Sequence, residues 1–476
     1  MASSERPNPL AAYGQWLAET PSTWPAAALV SAHRQWLDTV AVMLPGALEP
    51  ACMIAHETVA GWGSGNAVAV GRSTRLAPPW AALINGTAGH ALDYDDNFDP
   101  PKAHISTVLV PAILALVDEI ELTGTDLIDA YIAAVQIQGR IGQGLNPPHR
   151  NRGWHATATT GALGAAAAVA RLYRLDAERA AMALSIATSL AGGFMSQFGT
   201  MTKPLHAGLA AKAGVLAASL ARNGLTAGWE TLDGVHGMNR LMVGPDYQAL
   251  HAALAAESGP PEHGQNLAFE TDAIGEPLLI LEHGFRVKRF ANCGSAHRAM
   301  DALLDIMAHE RFTADQVQSV QVTAPKVHLT NLMYQAPENG LQAKFSMEYA
   351  LACLLDHGAC PLADFTDAAV RRPALRSLLK KIERRAIDLP ESQVMTEVVV
   401  RLGDGRRLAA AVDMPQGSKA APFPTAQYWS KFDECAAVIA RDDDRRRLRA
   451  VLEHLPELTA ARELSAALAI PLKPML

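Results

Sequence analysis

Small and apolar residues recur at helical spacing through the first half of the chain. Ala156 to Leu175 is alanine-rich, with Gly161 and Gly164 among the small side chains. Alanine favours helix, and small faces let helices pack closely. Ala207 to Ala221, Val108 to Ile120 and Asp126 to Ile137 have the same character. Turn residues punctuate them: Thr123-Gly124-Thr125-Asp126, with Asp126 as the expected helix cap, and Asn146-Pro147-Pro148. The pattern changes near residue 280. Val317 to Ala324 alternates valine with polar residues, as a half-buried strand does. Gln393 to Leu402 and Arg406 to Met414, joined by Gly403-Asp404-Gly405, predict a β-hairpin, because Asp-Gly suits a tight turn. Helices are expected between these strands, at Phe345 to Leu355 and Pro373 to Ile382, and again from Thr425 to Leu468.

This order predicts a mainly α protein with three stretches. A large all-helical domain occupies residues 1–276, a smaller α+β lid domain is inserted at 277–414, and C-terminal helices at 415–476 rejoin the first domain. A length of 476 residues, long for one core, agrees with two structural units. The cleft between them is the expected place for an active site. Internal repeats and long low-complexity tracts are absent from the sequence.

Composition narrows the partners. Hydrophobic residues make up 49% and charged residues 19%, a globular and not a disordered balance. The net charge of −7 argues against nucleic acid and membrane surfaces as partners, since both call for a basic face. A small basic pocket for an anion remains compatible with it. No uninterrupted apolar stretch reaches the ~20 residues that span a bilayer. Met1 to Tyr13 is polar and contains proline, without a basic start and apolar core, so no secretory leader is expected. The five cysteines, Cys52, Cys293, Cys353, Cys360 and Cys435, include no CxxC pair. Zinc-ribbon and iron–sulfur readings are therefore weak, and the scattered odd set fits a reducing cytoplasm. The sequence also has no GxGxxG after a strand, no GxxxxGK[ST], no HExxH and no GxSxG, and neither a cofactor nor a metal is expected.

Five short segments carry residues suited to acid–base or anion chemistry. Asp93-Tyr94-Asp95-Asp96, followed by His104, is the densest acidic cluster near a histidine. Carboxylates this close cannot all ionise cheaply, so one is a candidate proton carrier; the plain alternative is a capped, solvated helix end. His155, in Gly153-Trp154-His155, precedes the alanine-rich helix, where an imidazole can face a cleft or serve structure alone. Thr200 to His206 sets Lys203 and His206 beside a helix start marked by Pro204, an arrangement attractive to carboxylates unless Lys203 is a surface lysine. Lys288-Arg289-Phe290-Ala291-Asn292-Cys293 leads to His297. Charge recognition by Lys288 is favoured there over a Cys293/His297 nucleophile, because a spacing of four also arises by chance. Tyr349, in Lys344-Phe345-Ser346-Met347-Glu348-Tyr349, is a candidate hydrogen-bond donor to substrate or a buried, satisfied tyrosine. The run Asp442-Asp443-Asp444-Arg445-Arg446-Arg447 reads as an exposed helix face.

Taken in order, these segments resemble the MmgE/PrpD family over nearly the whole chain. The blocks are Gly89 to Asp96; His104 with Val108 to Ala112; Gly153-Trp154-His155; Thr202 to Gly208; Lys288 to His297 followed by Ala299 and Asp301; and Ala343 to Tyr349. The family includes 2-methylcitrate dehydratase, cis-aconitate decarboxylase and iminodisuccinate epimerase. The resemblance implies an all-α domain with a smaller lid, usually in homodimers. It also implies a pocket of Asp93, His104, His155, Lys203, Lys288 and Tyr349, with His206 and His297 near or within it. Three departures stand out. His104-Ile105-Ser106 replaces a common His-Pro-Ser, Asn97 stands where threonine is common, and Cys293 stands where the decarboxylases carry histidine. The last weakens a decarboxylase reading. The segment Phe98 to Ala103 is slightly long, which can reshape the pocket.

The expected substrate is thus a small anionic polycarboxylate held by Lys203 and Lys288, helped by Arg289 or backbone amides, with Asn97, Cys293, His206 and His297 around it. His155 or Asp93 would be the base and His104 or Tyr349 the acid. A dehydratase-type lyase is narrowly preferred, then an epimerase of an imino or amino dicarboxylate, then a decarboxylase. Two readings of other classes are a metal-dependent hydrolase using Asp95, Asp96, His104 and His155, and a non-catalytic polycarboxylate-binding protein.

Overall fold

The computed structural model describes residues 7–256 and 267–470. The first six residues of the Met1 to Tyr13 segment read for a leader lie outside these residues, as do 471–476 of the C-terminal stretch. The protein is mainly α-helical with a small mixed sheet.

Its centre is the helix Thr202–Arg222, which packs against Pro78–Ala91 and Ala156–Leu172. Small residues permit that approach: a Cβ on Gly86 would lie 2.8 Å from the Cα of Gly208, and one on Gly214 would collide with Ala165. Taken singly, Thr202–Arg222 is the one described helix with the length and hydropathy to cross a membrane, and 67% of its apolar window is buried within the protein. Gly124–Gln143 packs on Ala156–Leu172 from the other side. Its start corrects the expected cap. Thr123 is the N-cap, and Asp126 sits at the third position and bonds back to the Thr123 N–H at 2.8 Å, a reciprocal capping box. The helix expected at Val108 to Ile120 runs Ser106–Leu114 and then gives way to turns.

Strands β1 (Ser64–Val68) and β2 (Arg75–Leu76) form a short antiparallel pair. The main sheet has the order β4-β3-β5-β6, from β3 (Val317–Pro325), β4 (Ile382–Ile387), β5 (Thr396–Leu402) and β6 (Arg407–Val412). The expected β3 and hairpin β5–β6 are present, with Val322 opposite Val398 and Val398 opposite Ala410. The helix at Pro373 stops at Leu379, and the residues after it form β4, parallel to β3. Its Glu383-Arg384-Arg385 core is charged because it is an edge strand with one neighbour, so it lacks the apolar alternation that marks a strand. Helix His297–His309 covers β5 and β6.

After the sheet the chain returns to the first half. Thr425–Ile439 packs on Ala26–Gly46, and Arg462–Leu468 on β1. Asn97 and Arg286 exchange backbone hydrogen bonds of 2.9 Å in both directions, tying the first half to the segment that leads into the sheet.

Candidate active site

A cavity of about 1060 Å³ lies where these two parts meet. One wall comes from Asp93 to His104, Pro147 to Thr157 and Met195 to Lys203; the other from Arg286 to His297, Lys326 to Asn331 and Asp388 to Glu391.

The most buried wall is a charge cluster. Helix Pro78–Ala91 ends just before Asp93, which adopts a left-handed φ of 51°, a conformation asparagine and aspartate tolerate better than most residues. The turn aims its carboxylate at Lys203, in the first turn of Thr202–Arg222, with Nζ 2.5 Å from Oδ1. Lys288 approaches from the other wall, with Nζ 3.2 Å from Oδ2 and donating at 2.7 Å to the Asp93 carbonyl. All three are at most 4% exposed, so desolvation makes each depend on the others. Burial opposes ionisation of Asp93, but Lys203 and Lys288 outweigh it and hold the carboxyl well below its ordinary value. Two lysines to one carboxylate leave the cluster with one excess positive charge. Phe198 and Phe345 flank Lys203, each ring 5.2 Å from Nζ.

Above it lie the imidazoles. His104 Nδ1 is 2.7 Å from the Asp96 carbonyl. A carbonyl only accepts, so Nδ1 carries the proton and Nε2 is left with its lone pair. His155, at the N-cap of Ala156–Leu172, meets His206 with Nδ1 3.0 Å from Nδ1. Burial pushes His104 and His155 well below the ordinary imidazole value, reinforced for His155 by Lys203, and pushes His206 down to about 4. Neutral imidazoles near lysines are proton acceptors at neutral pH.

Asn97, Cys293 and His297 also line the cavity. Burial raises the Cys293 thiol, and His297 Nε2 is spent on Asn292 Oδ1 at 2.8 Å. They therefore form no activated thiolate pair. The long Phe98–Ala103 segment is a loop closed by paired backbone bonds between its ends, and Asp99 and Lys102 on it reach the cavity.

Two expectations need correcting. Tyr349 does not line the cavity. It is fully buried on helix Met347–His357, and its hydroxyl donates to the Asp364 carbonyl at 2.5 Å, because the apolar face of that helix turns toward Pro373–Leu379. His206 stands behind His155 and not in the cavity lining, so it touches the site through that ring. In the acidic block, the carboxyl with the raised value is Asp96, pushed up to about 7 by burial, and it faces away, toward Ser106. Asp95, Asp96, His104 and His155 do not converge as a metal set: Asp96 is turned to Ser106 and His155 to His206. His90, Asp95 and His104 do bring ligand atoms within 4.8 Å of one another. There the Nδ1 atoms are already donors, from His90 to Asp95 and from His104 to the Asp96 carbonyl, each at 2.7 Å.

Several side chains at the site were not singled out from sequence, among them Arg286, His328 and Glu391 on the far wall, and two stand out. His90 lies between His104 and His155, with ring centroids 4.7 and 5.8 Å away, and its place inside the Gly89–Asp96 block was the available signal. Arg150, one residue past His149, lines the cavity.

The MmgE/PrpD N-terminal domain matches residues 14–251 and the MmgE/PrpD C-terminal domain residues 290–456. The chain belongs to the MmgE/PrpD family. Cis-aconitate decarboxylase of Homo sapiens is 28% identical over 416 residues, covering 84% of this chain and 81% of that protein. The Mus musculus protein of the same name is 29% identical over 403 residues, covering 81% and 77%. That of Aspergillus terreus is 25% identical over 433 residues, covering 85% and 84%. This MmgE/PrpD protein is an enzyme of the lyase type. Asp93, His104, His155 and Lys203 fall in the N-terminal match and Cys293 and His297 in the C-terminal one, so the cavity is built by both parts of the family fold.

Proposed function

We propose that this MmgE/PrpD protein is a cofactor-independent lyase that removes a proton from a carbon next to a carboxylate of a small di- or tricarboxylate, by dehydratase-type elimination as in 2-methylcitrate dehydratase. The observation that carries this reading is the pair of neutral imidazoles, His104 and His155, beside the Lys203–Asp93–Lys288 cluster. A substrate carboxylate at the lysines sets its neighbouring C–H against an imidazole. As the proton leaves for nitrogen, charge develops on the carboxylate oxygens, where fixed cations stabilise it. The electron pair then forms the C=C bond as the C–O bond breaks, and hydroxide takes a proton from the second group to leave as water. His155 is the proposed base and His104 the proposed donor: His104 Nε2, bare in the free enzyme, takes up a proton when the incoming polyanion raises its proton affinity, and passes it to the leaving hydroxide.

A second reading, decarboxylation of a cis-aconitate-type acid, is favoured by the names of the relatives. Cys293, standing where the decarboxylases carry histidine, weighs against that reading, and an epimerase is the third reading. Proton NMR of the enzyme in D₂O with 2-methylcitrate, citrate, cis-aconitate and iminodisuccinate separates them. Deuterium next to a carboxylate with an alkene product supports elimination, carbon dioxide release supports decarboxylation, and exchange without net reaction supports epimerisation. No exchange with any of the four removes the proton-abstraction reading.

The same proposal makes 277–414 a lid over a helical domain formed by 1–276 and 415–476, and places the enzyme in the cytoplasm without nucleic-acid or membrane partners. A homodimer is supported by large apolar side chains exposed within one stretch: Leu190, Phe194, Met201, Leu225, Trp229, Val235 and Leu241.

A further inference from the structure

We propose that Arg150 receives the substrate carboxylate remote from the reacting carbon, making the site selective for a tricarboxylate over a dicarboxylate. This rests on the polycarboxylate reading above.

Six cations line the cavity: Lys102, Arg150, Lys203, Arg286, Lys288 and Lys326. Five have a carboxylate oxygen within 4 Å. Lys203 and Lys288 share Asp93, Arg286 holds Asp99 and Glu391, Lys102 reaches Asp99 at 3.8 Å, and Lys326 pairs with Asp388 at 2.8 Å. Among the described residues Arg150 has none. Its one side-chain partner is neutral: Nη2 donates to Asn331 Oδ1 at 2.6 Å. Asn331 in turn donates from Nδ2 to Ser295 Oγ at 2.9 Å.

This geometry holds a guanidinium without neutralising it. Arg150 sits on the short helix Pro148–Asn151 of one wall, and Asn331 and Ser295 belong to the other. The relay spends one of five N–H donors and leaves the planar fork for a bidentate anion. The carboxylate on the far wall that acts on Arg150 through space, Glu391, is already shared by Arg286, Arg298 and His328. Burial lowers the proton affinity of Arg150, the mark of a cation short of compensation. A half-buried arginine facing a cavity and held by an uncharged amide is a receptor for an anionic group brought by the ligand. Lys203 and Lys288 already serve the carboxylate next to the reacting carbon, so Arg150 serves another.

Isothermal titration of the full chain with propane-1,2,3-tricarboxylate, glutarate and methylsuccinate tests this, since both dicarboxylates are the same skeleton with one carboxylate fewer. Wild type should bind the tricarboxylate about 10- to 100-fold more tightly, the worth of a charge-assisted pair. Arg150→Met should lose about that factor for the tricarboxylate while the weaker dicarboxylate stays within about 2-fold. Asn331→Ala, which frees the guanidinium without removing it, should lose a smaller factor in the same selective way, and serves if Arg150→Met fails to fold. Equal losses for all three ligands, or retained preference in both variants, would overturn the role of Arg150. Wild type that binds none of the three would overturn the polycarboxylate reading itself, and this inference with it. Lys203→Met should weaken tri- and dicarboxylates together, which separates the two anion points.

Discussion

The block Asp93 to Asp96 shows how one residue type can take opposite protonation states within one motif. Asp93, Asp95 and Asp96 lie within four positions, yet the first two are held ionised by cations and imidazoles while burial holds the third near neutrality. Asp93 is therefore a counter-ion, and the base falls to an imidazole. His155→Gln should lower kcat/KM by about 10²- to 10⁴-fold, and Lys203→Met by about 10²- to 10³-fold, with circular dichroism confirming that both fold; full activity in either would dismiss that residue from the site. Asp96 predicts a stability effect. Its folded value, about 7, lies above the ordinary 3.8. The stabilisation tied to its protonated form is complete below 3.8 and is lost as pH rises through about 7. Urea midpoints should therefore show Asp96→Asn gaining on wild type from about pH 4 to about pH 7 and level above it; a constant difference over that range would mean that the folded value of Asp96 is not raised. The spacing of the acidic block announced that its carboxylates would differ, but which would carry the proton depended on the approach of Lys203, Lys288 and Ser106.

Helix Thr202–Arg222 does two jobs, since the element at the centre of the core also carries Lys203 in its first turn. Its crossing with Pro78–Ala91 sets the distance between Lys203 and Asp93, because Asp93 follows the second helix directly. Gly208 is the closest point of that crossing: a methyl there would collide with the Leu83 carbonyl and the Thr87 hydroxyl. Gly208→Ala should cost about 1–3 kcal/mol from overpacking, read as a lowered melting temperature, and should reduce turnover by separating Lys203 from Asp93. A destabilised but fully active variant would show that the cluster tolerates the shift. Such elements were legible where local pattern and burial agree, as in the alanine-rich helices and the hairpin β5–β6. Strand β4 was not, because its charged residues are set by an edge position that only the neighbouring β3 defines. Tyr349 was misread for a related reason: its segment matches a family block, but the packing of its helix turns the hydroxyl to Asp364.

At the scale of the molecule, seven imidazoles among the described residues, those of His56, His90, His104, His149, His155, His206 and His297, are pushed down by burial. A depressed folded value means stability that is present above the ordinary 6.5 and is lost as pH falls below it, when the unfolded chain takes up protons the fold refuses. Carboxyls raised by burial, Asp96 with Asp38, Asp233, Asp301 and Glu348, act in the opposite sense and offset part of that loss. Thermal melts should therefore fall steadily from pH 7 toward pH 5, with anionic ligands opposing the loss; an unchanged melt would mean these rings are already charged in the fold. Light scattering should give a mass of twice 50.7 kDa, with Trp229→Glu shifting it toward the monomer; a monomeric wild type would leave the exposed apolar stretch without its proposed partner.

By itself the sequence determined the mainly α class of fold and pointed to many of the residues that line the cavity, because helix propensity, turn chemistry and an ordered series of short motifs are local properties. The tertiary structure decided the chemistry of those residues. Protonation state, tautomer and partner depend on what burial removes and what a distant segment brings, so His104 became a lone-pair donor and Asp93 a counter-ion only when residues near 100, 155, 203 and 288 met around one cavity.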